Sequence, residues 1–158
     1  MIKRRILLVC CLMLCVGPLP AQDEFLKIEC AVVPRQIQQG NEGLLRIRII
    51  PRNGVRISAN PELLIRLDEN ENLSFAKIFF AGSELNLPTT QEGELVFFDP
   101  QKEIEVPFTL GQDALLGNLT VSGEVVFTLL FPDSWSVKTT QKFSAGFVSR
   151  RNYKLRKK

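Results

Sequence analysis

The residues most suited to binding a partner stand in the C-terminal third of the chain, where two aromatic residues flank a short turn. Phe131 and Trp135 enclose Pro132-Asp133-Ser134, and turn residues of this kind connect the strands of a hairpin. Alternation places both aromatic residues on an inner face, so core packing is one interpretation. If the hairpin projects, they form an aromatic patch that anchors partners. Four arginines between residues 46 and 56 could bind an acidic partner, although solvated charges on a strand face are commoner. The candidate binding residues are Phe131, Asp133, Ser134, Trp135 and Arg56.

Side chains in a recognisable catalytic or metal-binding arrangement are missing from the sequence. Histidine, the commonest general base, is absent. Asp68, Asn70 and Asn72 have the alternating spacing of a calcium loop, but Leu73 and Phe79 occupy the positions that need glycine and glutamate. The sequence therefore predicts a solvated acidic turn there, and a protein with no catalytic residues, no metal site and no cofactor.

The N-terminus has the features of a secretory signal peptide. Three basic residues precede an apolar run from residue 6 to about residue 19, and Ala21 offers a small residue for cleavage. The run is shorter than the roughly 20 residues that cross a bilayer as a helix. Lipid attachment at Cys15 is the alternative, but Leu14 is not the small residue that normally precedes such a cysteine. We expect residues 1–21 to be removed and the mature chain to be periplasmic or secreted.

Removal of residues 1–21 leaves Cys30 as the one cysteine of the mature chain. It shares a predicted strand face with Leu26, Ile28 and Val32, where a free cysteine usually behaves as a small buried apolar residue. The alternative is thiol–disulfide exchange between Cys30 and a partner's cysteine, since that chemistry needs a second sulfur.

Charge is distributed unevenly along the mature chain. Residues 22–149 carry 11 basic and 17 acidic side chains, whereas the last nine residues carry six basic ones. Each basic residue near an anionic surface contributes on the order of 1 kcal/mol, so this tail could contact anionic lipid or another polyanion, fold back on the acidic body or stay free. Export argues against nucleic acid as the partner. The candidate tail residues are Arg150, Arg151, Lys154, Arg156, Lys157 and Lys158.

Apolar and polar residues alternate with the period of a β-strand through most of the chain. The long predicted strands cover residues 25–33, 44–50, 103–110, 119–131 and 135–147, and the short ones cover 62–67, 74–80 and 94–98. Turn residues separate these runs, and no window of a dozen residues has a helical stripe. Seven to nine short strands predict an all-β antiparallel β-sandwich over residues 22–148, followed by a flexible basic tail, 149–158.

Three stretches carry a resemblance to a known family: residues 40–50, which open with Gly40-Asn41-Glu42-Gly43, the segment from Asn53-Gly54 to Asn60-Pro61, and the closing hairpin, 123–143. Together they resemble the N-terminal immunoglobulin-like domain of the thiol:disulfide interchange protein DsbD. The resemblance implies the sandwich scaffold and docking to another envelope protein. The family's cysteine pair lies on the closing hairpin, but residues 129–137 contain no thiol here, so the redox step is not implied.

These features predict an exported, non-catalytic binding module of the cell envelope that docks a protein partner through its closing hairpin and sheet edges. Two alternatives stay open. One is thiol–disulfide exchange through Cys30, and the other is a surface-associated module held by its basic tail.

Overall fold

A computed structural model describes residues 25–99, 101–133 and 135–153. The predicted signal peptide, Cys15, Ser134, Lys154, Arg156, Lys157 and Lys158 lie outside the described residues. The described part contains twelve strands and a short 3-10 helix, Gly82–Leu85. The strands are β1 (Leu26–Val33), β2 (Gln36–Gln38), β3 (Glu42–Pro51), β4 (Arg56–Ser58), β5 (Leu64–Leu67), β6 (Leu73–Phe75), β7 (Phe79–Ala81), β8 (Thr89–Glu92), β9 (Leu95–Phe98), β10 (Ile104–Leu110), β11 (Gly117–Leu130) and β12 (Ser136–Arg150).

The strands form two sheets that pack face to face. The smaller sheet has the order β1-β3-β10-β6, and the larger has the order β2-β12-β11-β4-β9-β8, with β5 pairing to β11 and β7. Neighbouring strands are antiparallel except for β2, which runs parallel to β12. The sets β1-β3-β10-β6 and β12-β11-β4 reproduce the four-stranded and three-stranded sheets of an immunoglobulin domain. The predicted all-β, immunoglobulin-like sandwich is therefore confirmed.

The core lies between the sheets because alternate residues of each long strand are apolar. Leu45 and Ile47 of β3 are completely buried, as is Val125 of β11. Ile104, Val106 and Phe108 of β10 come from the strand beside β3 and are also buried. Burial of a side chain of this size contributes roughly 1.5–3 kcal/mol, so the alternation that predicted these strands also fixes which face each strand buries.

The β11–β12 hairpin runs the length of the sandwich. Its pairing extends from Gly117 opposite Ser149 to Leu130 opposite Ser136. At about 3.3 Å per residue, the 15-residue strand β12 is about 45–50 Å long. We call the end with the β11–β12 turn the hairpin end, and the end where β12 finishes at Arg150 the tail end.

Several short elements differ from the sequence-based expectation. The run predicted over residues 74–80 is divided between β6 and β7, which belong to different sheets. Strands β2, β4 and β8 were not predicted, because three or four residues with at most one buried apolar side chain give little alternation. No helix in the described residues has the length and apolar character needed to cross a bilayer.

Candidate binding site at the hairpin end

Three aromatic rings form a row at the hairpin end. The rings of Phe131 and Trp135 stack in parallel, with centroids 3.8 Å apart and an interplanar angle of 4°. Phe25 meets Phe131 edge-on, with centroids 5.1 Å apart. Phe131 packs against the core, whereas 45% of the Trp135 surface stays exposed. The row therefore holds an exposed indole ring on a rigid base.

Hydrogen bonding fixes this row to the β11–β12 turn. The amide of Phe131 donates to the carbonyl of Trp135 at 3.0 Å, which closes the turn around Pro132 and Asp133. Asp133 is exposed at its tip. The turn thus places Phe131 and Trp135 opposite each other across the hairpin, and their rings stack.

Arg56 covers the ring of a further aromatic residue, Phe97, close to this row. Its guanidinium carbon lies 4.7 Å from the centroid of the Phe97 ring, and its Nη1 forms an ion pair with the Glu92 carboxylate. Phe97 is only 7% exposed, yet it lies outside the core between the sheets. The register pairs Phe97 with Ser58, two residues from Arg56 along β4. Phe97 is therefore buried on the outer face of the larger sheet, beneath the arginine side chain.

These groups line a cleft of about 460 Å³. Its walls come from the β3–β4 loop and the β11–β12 turn at the hairpin end, and from outward-facing side chains of β4, β8 and β9. Leu95 contributes an apolar side chain that is 54% exposed. The contributing residues include Gly54, Glu92, Leu95, Leu130, Pro132 and Trp135. Clefts of this volume that combine apolar walls with a few polar groups are typical binding sites.

The charges within this cleft balance. Arg56 and Glu92 are its charged lining residues, and they neutralise each other in the ion pair described above. Other arginines of the same stretch are also engaged: Arg46 Nε lies 3.1 Å from Glu105 Oε1. The cleft therefore offers a partner apolar and aromatic contacts together with a guanidinium group, and its lining is electrically neutral.

The structure brings Phe131, Trp135 and Arg56 to one cleft, and Asp133 is exposed on the adjoining β11–β12 turn. Sequence reasoning missed Glu92, Leu95 and Phe97, since their strands are short and their partners are distant in sequence. The alternation of Leu95 and Phe97 in β9 signalled a strand, but it did not indicate which of the two faces was the outer one.

The described tail residues lie at the opposite end of the molecule. Arg150 and Arg151 are exposed and line a second cleft of about 510 Å³ together with Leu116 and Tyr153. The side chain of Asn152 donates to the carbonyl of Gln39 at 3.0 Å, so the chain stays attached to the body for two residues beyond β12. The tail end and the cleft at the hairpin end are therefore separate surfaces.

The thiol of Cys30 is half-buried on β1. Burial raises the pKa of this thiol from its ordinary value of 9.0 to about 12, because a thiolate loses hydration in apolar surroundings. The nucleophile in disulfide exchange is the thiolate. At neutral pH the residue is thus a protonated, weakly nucleophilic thiol.

Side chains of the acidic turn hydrogen-bond within the protein. The carboxylate of Asp68 accepts a hydrogen bond from the Ser122 hydroxyl at 2.7 Å. Asn70 Oδ1 accepts a hydrogen bond from the backbone amide of Asn72 at 2.9 Å, which is the geometry of a turn capped by an Asn side chain. Within the described residues, no group of three His, Cys, Asp or Glu side chains is placed to hold a metal ion.

Comparisons with known proteins assign no family to the chain. No family model matches its sequence, and no curated protein matches it. Among solved structures it is similar to a conjugative transposon lipoprotein from Bacteroides eggerthii, with 13% identity, TM-score 0.34, and 76% of this chain and 97% of that chain covered.

Two further solved structures give comparable values. A cohesin–dockerin complex from Clostridium thermocellum has 12% identity and TM-score 0.36, and the match covers 78% of this chain and 99% of that chain. The major subunit of Myf fimbriae from Yersinia enterocolitica has 13% identity and TM-score 0.36, covering 78% and 98%. The fold assignment rests on the strand order of this protein itself, and the resemblance to the DsbD N-terminal domain stays a prediction.

Proposed function

We propose that this protein is an exported, non-catalytic binding module of the cell envelope, which docks a protein partner at the hairpin end. The observation that carries the proposal is the exposed indole of Trp135, held flat on Phe131 at the mouth of a neutral, mostly apolar cleft. Tryptophan and arginine dominate the energetics of many protein interfaces. Here both types border the same cleft.

The position of the cleft within the fold supports the same proposal. Loops at one end of an immunoglobulin-like sandwich form the binding surface of antibody variable domains, and loops on a rigid scaffold commonly carry function. Two connections meet at the hairpin end, the β3–β4 loop and the β11–β12 turn. A partner seated there would contact loops whose bases are fixed by β-sheet hydrogen bonds.

The absence of a redox step is part of the proposal. In the DsbD N-terminal domain, which the sequence resembles, the cysteine pair lies on the closing hairpin, and residues 129–137 of that hairpin contain no thiol here. The pKa of Cys30, raised by burial, argues against thiol exchange through that residue. We therefore propose that the protein uses the scaffold for docking alone.

The test compares capture of an envelope partner by three forms of the tagged mature protein. The forms are wild type, the double variant Phe131→Ala/Trp135→Ala, and Tyr153→Ala as a matched aromatic control at the tail end. We expect the double variant to lose the partner and the control to keep it, with circular dichroism confirming that each form folds. Equal retention by all three forms would place binding elsewhere.

A second readout uses the single tryptophan of the chain. Since Trp135 lies at the cleft, adding the purified partner should shift or quench intrinsic fluorescence from this protein. A complex that forms without any change at Trp135 would contradict docking at the hairpin end.

A second candidate function is contact between the tail end and an anionic lipid surface. Exposed Arg150 and Arg151 lie beside Tyr153, which is 76% exposed, and four further basic residues follow in the sequence. Basic and amphipathic side chains together favour anionic membranes. Vesicles with 30% phosphatidylglycerol should sediment wild type but not a form lacking residues 150–158, and binding that the deletion leaves unchanged would exclude this function.

A further inference from the structure

Resting on the proposed function, we propose that the partner binds as an extended segment that adds a strand to the free edge of β8. In the described part of the chain, β8 is the last strand of the larger sheet. Adding a strand to an open sheet edge is a common mode of peptide recognition, in which main-chain hydrogen bonds supply affinity and alternate side chains supply specificity.

The register shows which main-chain groups of β8 face outward. The Pro88 carbonyl accepts a hydrogen bond from the Asp99 amide at 2.7 Å, so the main-chain carbonyl of Pro88 points toward β9. Hydrogen-bonded and non-hydrogen-bonded pairs alternate along an antiparallel ladder, so the main-chain amides and carbonyls of Thr90 and Glu92 point toward β9 as well. The amides and carbonyls of Thr89 and Gln91 consequently point to the free edge, where they can pair with an added strand.

Other sheet edges are protected in ways that β8 is not. Natural proteins protect edges with lysine, proline or very short strands. The edge strand β1 carries the Lys27–Glu29 ion pair on its surface, and the edge strands β2, β6 and β7 have only three residues each. In β8 all four side chains are exposed, and none of them is lysine or proline.

The edge of β8 also borders two clefts. Glu92 lines the cleft at the hairpin end, and both Thr90 and Glu92 line a neighbouring cleft of about 300 Å³. Phe97, beneath Arg56, lines both of them. A strand added to β8 would place every second side chain on this outer face, so large apolar residues there could reach across β8 toward Leu95 and Phe97.

Charges around the edge specify the partner segment further. The exposed carboxylate of Glu94 lies at the β8–β9 turn, whereas the Lys102 ammonium donates a hydrogen bond to the Asn86 carbonyl at 3.0 Å, near the other end of β8. Between these ends, Leu95 and Phe97 supply the apolar surface of the clefts. The complementary segment therefore has alternating apolar residues and a basic residue at the end that lies beside the turn.

The experiment selects binders of the intact mature protein from a phage-displayed library of random twelve-residue peptides. The selected peptides are then tested against wild type, Gln91→Pro and the matched control Gln91→Ala. Both variants lose the side chain of Gln91, but only proline removes the outward N–H, and edge strands tolerate proline when that group faces solvent. We expect peptides with alternating apolar residues that bind wild type and Gln91→Ala equally, and Gln91→Pro about tenfold more weakly.

Hydrogen exchange provides a measurement that does not depend on the proline variant. Exchange of the Gln91 amide in wild type should slow at least about tenfold when a selected peptide is bound. No selected peptide, equal affinity for Gln91→Pro and Gln91→Ala, or unchanged exchange at Gln91 would overturn strand addition.

The double variant Phe131→Ala/Trp135→Ala separates this inference from the proposed function. Peptides that lose affinity in the double variant but not in Gln91→Pro would support the cleft and overturn strand addition. Peptides that lose affinity in Gln91→Pro but not in the double variant would support strand addition and overturn docking at the aromatic row.

Discussion

At the scale of single residues, Cys30 shows how burial decides chemistry. Its pKa in the folded protein, about 12, lies above the ordinary value of 9.0. Since the folded state holds the proton more tightly than the unfolded state, the associated stability is present below about pH 9 and is lost as the pH rises toward 12. The same protonation keeps the thiol weakly reactive near neutrality.

Labelling with a thiol reagent tests this prediction. At pH 8 we expect native Cys30 to react much more slowly than the same residue in urea, because so little thiolate forms in the folded protein. The unfolding free energy of wild type relative to Cys30→Ala should stay constant below pH 9 and fall above it. Immediate labelling of the native protein would revive thiol exchange as a function.

Arg56 and Glu92 form a pair whose members should contribute unequally. Arg56 makes both the ion pair and the contact with Phe97, whereas Glu92 makes only the first of these. An exposed ion pair contributes roughly 0.2–1 kcal/mol, and an exposed cation–π contact adds about 0.5–1 kcal/mol.

We therefore predict that Arg56→Ala lowers the free energy of unfolding by about 1 kcal/mol and Glu92→Gln by about half as much. Urea unfolding at low and at 1 M salt measures both values, and salt should remove the Glu92→Gln effect while leaving about half of the Arg56→Ala effect. Equal effects of the two substitutions at high salt would show that Arg56 does not stabilise Phe97.

At the scale of elements, the β11–β12 hairpin depends on a glycine at one position. A β-carbon at Gly123 would collide with the Arg66 carbonyl oxygen of β5, and it would lie 2.8 Å from the Phe143 ring. At Gly146, on the partner strand, the nearest atom to an added β-carbon is the Leu119 carbonyl oxygen, 3.9 Å away. The two glycines thus differ in the space that an added methyl group would find.

This contrast predicts that Gly123→Ala lowers the free energy of unfolding by about 1–3 kcal/mol, the usual cost of overpacking. Gly146→Ala should leave stability within about 0.5 kcal/mol of wild type, as surface substitutions usually do. Chemical denaturation of the two variants checks both values. If Gly123→Ala were as stable as Gly146→Ala, then β5 would not approach β11 this closely.

The sequence was informative about the long strands for a physical reason. In β3, β10 and β11 every second residue is apolar and packs against the opposite sheet, so the strand and its buried face follow from one pattern. Strand β8 has no buried side chain, and its existence depends on pairing with β9. Alternation therefore could not reveal it, although Gly93 marks the turn between these two strands.

Alternation was less informative about the site itself. Trp135 and Val137 belong to the inward-facing series, and Val137 does pair with the buried Leu129, yet Trp135 and Val137 are 45% and 38% exposed. The period of a strand gives the face of each side chain, but not whether the opposite sheet extends far enough to cover it. That depends on where distant strands end.

At the scale of the whole molecule, the sandwich separates two surfaces of different character. The hairpin end has a neutral aromatic cleft, whereas the described tail end has exposed Arg150 and Arg151, and β12 spans the distance between them. Because the two surfaces do not overlap, one partner at the cleft and one anionic surface at the tail end can be bound together. Deleting the tail should therefore leave partner capture unchanged.

Site-specific photo-crosslinking in cells tests the central claim, docking at the hairpin end, most directly. A photoreactive amino acid replaces Asp133, exposed at the tip of the β11–β12 turn, or Tyr153 at the tail end. Docking at the hairpin end predicts a discrete covalent adduct with one envelope protein from position 133 and none with that protein from position 153. An adduct with the same protein from position 153 alone, or equally from both positions, would contradict it.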